Sequence, residues 1–546
     1  MTALRRSAAA LVALLWLTSA GANADTYPRQ PGVDALHYVF RLVIGDASNE
    51  IAGETTVTIR LLADGLRDVE LDLTSAVSGK GMTVGTVTHQ VSGSPASLAF
   101  NHQSDRLRVT LPAASRAGEE ISFTVAYSGV PAEGLRLIDN IHGQRTVFSE
   151  NWPNRARQWL PVIDHPYDKA TGEFIVTAPA HYQVVANGLL VEELDMPDAR
   201  RRTHWKQSVP IASWLYALGV ARFSVHHAGV VKGVELQTWV FPQDYVTGLS
   251  IFEDLSRRAM TFFVEQIGPY SYEKLANVQA AGMSGGTEHA SVIFYGEKGV
   301  ASGRAPVVHE VAHQWWGDAV TERDWDDVWL SEGFATYFTL LFTEHDEGRD
   351  AFVDGLKRSR AQVLQLELKL PDAPVVHRNL ADMQRVLNRL IYEKGGWVLH
   401  MLRAELGTEA FWTGIREYYR RYRDRNASTS DLRAVMEQVS GKPLGWFFAQ
   451  WLTRSGVPRV EGTWRYDAAR KMVDVTLAQT QAGDPYRLTV EIGIVATAGA
   501  LPRVARAEFT GRQATLAVPA ESEPAAVILD PGTWLLMEAG PFSRER

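Results

Sequence analysis

Residues 309–332 constrain this chain more than any other stretch: His309-Glu310-Val311-Ala312-His313, then Glu332 nineteen positions after the second histidine. On a helix, His309 and His313 lie one turn apart on one face, so both imidazoles can point at a single ion. A zinc ion that does chemistry needs a third protein ligand and one position left open for water. Glu332, within Trp329-Leu330-Ser331-Glu332-Gly333-Phe334-Ala335, is placed to supply that ligand from a following helix. Glu310 sits between the histidines, beside the ion's water, where a general base belongs. Pro306 fits the first turn of such a helix. Val307, Val308, Val311, Ala312, Trp315 and Trp316 surround the polar trio, which predicts a buried helix whose charged groups need partners. The bland alternative is an amphipathic surface helix with two solvated histidines. The whole pattern points to a zinc hydrolase, most simply a peptidase.

The first 24 residues read as a separate unit: Arg5 and Arg6, an apolar run from Ala8 to Leu17, and the small residues of Ala22-Asn23-Ala24. This is the pattern of a signal peptide cleaved after Ala24, too short to span a membrane comfortably. It predicts an exported protein, periplasmic or secreted. No later run is apolar enough for a stable membrane span. The chain has no cysteine, so a metal site cannot use thiolates and the fold cannot lean on disulfides. Its formal net charge is -8, and removing residues 1–24 leaves -10. That argues against nucleic acid as a partner and weakly favours cationic or neutral substrates, with ordinary solubility the stronger reading. Nothing in the sequence sets an oligomeric state.

About 520 remaining residues imply two to four domains. From about 33 to 225 the pattern is short and alternating (Tyr38 to Val43, Glu54 to Leu62, Leu107 to Leu111, Ile121 to Tyr127, Phe174 to Thr177), which predicts an antiparallel β domain. From about 245 to 452 the period turns helical. Helices are expected over Leu249 to Ile267, 306–317, Val328 to His345, Leu380 to Leu406 and Ser430 to Val439. Alternation returns after Gly456-Val457-Pro458, with strands expected at Val473 to Leu477, Arg487 to Ile494, Thr515 to Val518 and Ala526 to Leu529. The expected division is 1–24 leader, 25–225 β domain, 226–455 catalytic domain and 456–546 β sandwich, an α+β multidomain chain.

His309 to Asp318 (His-Glu-Val-Ala-His-Gln-Trp-Trp-Gly-Asp), with Trp329 to Ala335, resembles the zinc aminopeptidases of peptidase family M1, which include aminopeptidase N and the leukotriene-hydrolase aminopeptidases. The resemblance implies an N-terminal β saddle, a thermolysin-like mainly helical catalytic domain, a C-terminal β sandwich and one zinc ion per chain. The chain ends soon after the sandwich, so it looks like a short form without the helical domain that caps many members. Gly285-Gly286-Thr287-Glu288-His289 is similar to the family's Gly-x-Met-Glu-Asn segment, with Thr287 and His289 in place of Met and Asn. There the backbone lies along the substrate and the glutamate grips its free amino terminus. A carboxylate beside an ammonium is a charge-assisted contact, and adjacent glycines allow close backbone approach to a ligand. A Gly-Gly-x-Glu-His pattern also resembles glycyl aminopeptidases. His289 is expected either to touch substrate or to support Glu288.

Tyr392-Glu393-Lys394-Gly395-Gly396 resembles the family's Tyr-x-Lys-Gly-Ala, whose tyrosine hydroxyl stabilises an oxyanion; a core tyrosine is the alternative. Ser149 to Arg157, with Leu160-Pro161 and Asp164-His165-Pro166, resembles the N-terminal signature in which a Gln or Glu reaches the substrate amino group. Glu150 takes that place, and Trp152 stands where a second acid or Gln is usual. Asp318 and Asp327 are candidates to orient the ligating histidines, with solvated surface aspartates as the alternative. The function expected is removal of the N-terminal residue from peptides with a free amino terminus. The rivals are a thermolysin-type endopeptidase on the same core, and a non-catalytic exported peptide-binding relative.

Overall fold

The structure is a computed structural model and describes residues 25–376 and 380–545. The expected leader lies outside the described residues. No helix among them is long and apolar enough to cross a membrane.

The N-terminal part is β throughout. Its largest sheet has eight strands in the order Leu189–Met196, Arg200–Ala212, Lys169–Pro179, Val33–Ile44, Ile51–Leu61, Glu119–Val130, Gly81–Val91 and Ser94–Ser97. Alternation builds the first strand: Val33 and Ala35 point inward, then Tyr38, Phe40, Leu42 and Ile44. The inward phase slips by one between Ala35 and His37, where a bulge shifts the register against Ile51–Leu61. A smaller sheet ends its strand Arg145–Ser149 directly before Glu150. The segment that follows is held by buried polar contacts. Asn151 Nδ2 donates to Tyr216 O (2.7 Å), Trp159 Nε1 to Asn151 Oδ1 (2.9 Å) and Arg157 Nε to Asp164 Oδ2 (2.9 Å).

The strand Ser224–Val231 runs across the expected 225/226 boundary and pairs with Val234–Val240. Both belong to a five-stranded sheet with Lys274–Ala280, Val292–Gly296 and the short edge strand Gly286–Thr287. This sheet was not foreseen. Lys274–Ala280 is buried at every position, so it shows no alternation from which a strand could be read.

Nine α-helices follow among the described residues: α1 (Tyr245–Gln266), α2 (Glu297–Ala301), α3 (Val307–His313), α4 (Trp329–Asp346), α5 (Arg349–Lys369), α6 (Leu390–Leu406), α7 (Thr408–Tyr422), α8 (Thr429–Ser440) and α9 (Gly445–Leu452). The metal-motif helix is shorter than expected and ends at His313. Trp315 and Trp316 lie beyond it in a turn, fully buried as their bulk requires. α6 starts ten residues later than the apolar period suggested.

The C-terminal part packs two sheets. One is ordered Gln513–Pro519, Met472–Gln479, Arg459–Asp467, Glu538–Arg544, and the other Arg503–Phe509, Leu488–Val495, Ala526–Leu529. The α+β architecture of β domain, mainly helical domain and β-rich C-terminal region is thus as expected.

Two features place the catalytic helices. α4 and α6 cross where Gly333 faces Gly395; a Cβ on Gly333 would lie 2.9 Å from Gly395 C. The absent side chains let Glu332 and Tyr392, one and three residues away, reach the same space. Behind the crossing, Lys394 Nζ is buried on Glu367 Oε1 of α5 (2.7 Å) and on Gly456 O at the head of the sandwich (2.8 Å). Gly333→Ala should therefore cost about 1–3 kcal/mol in denaturant unfolding. Gly396→Ala, whose Cβ would meet the Thr336 methyl at 3.3 Å and Gly333 O at an ordinary 3.5 Å, should cost clearly less; equal losses would refute the close-crossing account.

Lys274 pins the two larger parts together. Its buried Nζ donates to Ala186 O (2.8 Å) and Gly188 O (2.6 Å) and sits 4.6 Å from the Trp205 ring centre. Burial lowers its pKa from 10.5 to about 7. A folded pKa below the unfolded one means the folded chain holds this proton at a cost. The cost is full below about pH 7 and fades as pH rises toward 10.5. The stability of the wild type relative to Lys274→Met should accordingly improve between pH 7 and 10. Denaturant titrations showing a pH-independent difference would contradict this.

Candidate active site and metal centre

His309 Nε2 and His313 Nε2 lie 3.1 Å apart, and Glu332 Oε2 is 3.4 Å from the first and 3.2 Å from the second. The two histidines come from one face of α3, and Glu332 from the first turn of α4. Glu332 Oε2 is buried without a hydrogen-bond partner. Two imidazole nitrogens and one carboxylate oxygen converging this closely are the donor set of a three-ligand zinc site, so the residues present fit that ion. The other nitrogen of His313 is already committed: Nδ1 lies 3.0 Å from Trp316 O and 3.1 Å from Ser331 Oγ. That contact fixes the ring so that Nε2 offers its lone pair inward.

Asp318 and Asp327 do not orient the histidines, and neither is solvated. Asp318 is buried and accepts from Gln314 Nε2 (2.8 Å). Asp327 accepts from Thr429 Oγ1 (2.7 Å) and Thr429 N (3.1 Å) at the start of α8.

Three carboxylates crowd the site. Glu288, Glu310 and Glu332 are each buried, and carboxylate oxygens of Glu288 and Glu310 lie within 4.8 Å of one another and of a His313 ring nitrogen. Burial first, and then the charge of Glu288, push Glu310 well above the usual carboxylate range. Burial raises Glu288 as well. Burial also works against Glu332, yet His313 and His309 outweigh it and hold that carboxyl at about 2. One group is thus kept ionised as a ligand while its neighbour is made more basic. Glu310 Oε2 has no hydrogen-bond partner, so it is free to take a proton. Tyr392 lies over His309, with ring centroids 6.2 Å apart, and burial raises its phenol well above 10.

These groups open on a cleft of about 780 Å³. Glu150, Trp152 and 284–288 line it, together with Tyr392, Arg389, Arg358 and neighbouring residues of α4 and α5. Gly286 is needed less for a ligand than for Glu310, since a Cβ there would lie 2.4 Å from the Glu310 carboxyl carbon. Gly285, at φ +75°, makes the turn before it and has open space beside it. Glu150 is not the surface residue its sequence alone suggested. Its Oε2 accepts from Arg136 Nη2 (2.9 Å) and Arg155 Nη1 (2.5 Å) at the cleft wall. His289 differs from expectation: its ring is fully buried against Phe294, with centroids 4.9 Å apart, and is not among the residues lining the cleft. Burial brings it to about 3, so it is neutral.

Sequence reasoning passed over Gln314. Fully buried, it receives Ser291 N (2.8 Å) and Tyr270 Oη (3.0 Å) on Oε1, and its Nε2 donates to Glu288 O (3.2 Å) and Asp318. It thereby locks the Glu288 segment to the end of the metal helix. The available signal was a lone amide among Ala312, Trp315 and Trp316, where a polar group must find partners. Ser331, Arg358 and Arg389 were also unmarked.

Residues 255–451 match the Peptidase family M1 domain, and residues 34–215 match the Peptidase M1 N-terminal domain. Among curated proteins, the chain is 27% identical over 327 residues to glutamyl aminopeptidase of Bitis rhinoceros and 28% identical over 329 residues to that of Homo sapiens. Each alignment covers 57% of this chain and 34% of the relative, so the chain spans about a third of their length. Among solved structures, it is similar to the M1 zinc metallopeptidase of Deinococcus radiodurans, with TM-score 0.66 and 26% identity over 78% of this chain and 95% of that one. A mutant of that protein has been solved with a Tyr-ser-ala substrate. Two models of one family thus match most of this chain between residues 34 and 451, and the chain belongs to peptidase family M1.

Proposed function

We propose that this chain is a zinc-dependent aminopeptidase, exported by its leader to the periplasm or the medium, that removes the N-terminal residue of peptides. The observation that carries the reading is the convergence of His309, His313 and Glu332 with Glu310 and Glu288 around one end of a cleft. His309, His313 and Glu332 would hold one zinc ion per chain. When bound, that ion supplies Lewis acidity for the scissile carbonyl and for the attacking water. Glu310, made basic by burial, takes the proton from the water and passes it to the leaving amine. The Tyr392 hydroxyl donates to the oxyanion as charge develops. Glu288 receives the substrate ammonium, a charge-assisted contact that an internal peptide segment cannot make. Glu150, already held by two arginines, shapes that end of the cleft. The edge strand Gly286–Thr287 offers backbone along which an extended peptide can lie.

What supports peptides as substrates is the Deinococcus radiodurans neighbour solved with Tyr-ser-ala. What supports an aminopeptidase over an endopeptidase is the buried Glu288 lining the cleft, since a buried carboxylate there favours an ammonium over an uncharged backbone. Export rests on the leader pattern of residues 1–24.

Glu310→Gln should retain zinc, measured by metal analysis after dialysis, and lose about 10²–10⁴-fold in kcat. Substantial turnover by the zinc-loaded variant would refute the base assignment. Gly286→Ala should also keep its zinc, because the clash falls on Glu310 and not on a ligand. Its kcat should fall about 10²-fold through misplacement of that carboxylate; wild-type turnover would show that Glu310 needs no such room.

A further inference from the structure

Charged groups of both signs line the cleft: buried Glu288 and Glu310, and exposed Arg358 and Arg389. Arg389 is the N-cap of α6, so it shares a helical face with Tyr392 and Glu393, three and four residues on. Arg358 comes from α5, and the two helices are tied by Ser359 Oγ donating to Glu393 Oε2 at 2.6 Å. Both arginines thus belong to joined helices and line the same cleft. Neither makes an ion pair or a side-chain hydrogen bond with another of the described residues. Glu393 interacts with Arg389 through space and spends one oxygen on Ser359. By contrast, Arg136 and Arg155 are both engaged by Glu150.

Resting on the aminopeptidase reading, we propose that Arg358 and Arg389 bind a carboxylate on the leaving-group side of the substrate. The carboxylate is the free C-terminus of a short peptide or an acidic side chain close to it. A guanidinium is suited to this by its planar array of donors, which matches a carboxylate in pairs. With an ammonium taken by Glu288 and a carboxylate by the arginines, the cleft selects small zwitterionic peptides over long or C-terminally blocked ones.

The test compares kcat/KM for Leu-Gly-Gly, Leu-Gly-Gly-amide and Leu-Glu-Gly-amide, with leucyl-coumarin amide as a substrate that carries no carboxylate. The free acid should exceed its amide by about tenfold, chiefly through KM, and the ratio should shrink as salt is raised because both arginines are exposed. In Arg358→Gln/Arg389→Gln the ratio should fall toward one, while Arg358→Lys/Arg389→Lys should keep part of it. A loss of packing alone would lower acid and amide together. Rescue of the amide by the internal glutamate supports the same receptor and assigns it to the side chain. A ratio of one in the wild type, or one that survives the double Gln variant, overturns the inference while turnover of the coumarin amide leaves the aminopeptidase reading standing. Failure of zinc-loaded protein to cut any of the four overturns both.

Discussion

The molecule is organised around a concentration of buried negative charge. Glu288, Glu310 and Glu332 line one cleft with two imidazoles, which hold Glu332 ionised while burial raises Glu288 and Glu310. Carboxylates taken out of water at this density are costly unless something positive arrives. On the proposed reading, a divalent ion on His309, His313 and Glu332 and a substrate ammonium on Glu288 are the two cations that would offset this charge, with Glu310 as the base.

Holding such a cluster falls to the packing behind it. The Gly333–Gly395 contact lets α4 and α6 approach until Glu332 and Tyr392 face α3. Lys394, buried beneath the crossing, binds α6 to α5 and to the first residues of the sandwich. Gln314 joins the end of α3 to the segment carrying Glu288, and Lys274 joins the same sheet to the N-terminal domain. Each is a buried polar group whose partners lie on another element. Together they make all three parts of the chain contribute to one cleft.

Much of this was legible in the sequence because it depends on local spacing. The four-residue step between His309 and His313 sets their shared face, and alternation marked strands over Tyr38 to Val43, Ile121 to Tyr127 and Val473 to Leu477, within which Phe40, Phe123 and Val475 are buried. What failed did so for physical reasons. Lys274–Ala280 is buried on both faces, so its pattern carries no period. The metal helix stops at His313 because the chain must turn to bring Trp316 O back onto that ring, a tertiary demand with no local signal. Asp318 and Asp327 were plausible partners by proximity in sequence, but a backbone carbonyl and Ser331 hold the place instead. His289 lies one residue from Glu288 and alternates to the opposite side, into the core. Glu150 required the family resemblance, since the sequence alone does not show that Arg136 and Arg155 both close on it.

The most direct measurement is hydrolysis of leucyl-coumarin amide and its N-acetylated twin by the zinc-loaded protein, each repeated after chelation. If the buried carboxylates are there to receive one metal ion and one ammonium, only the free-amine substrate is cut, and only before the chelator is added. Equal cleavage of the acetylated twin would contradict the account, because it would show that Glu288 does not read the substrate's charge.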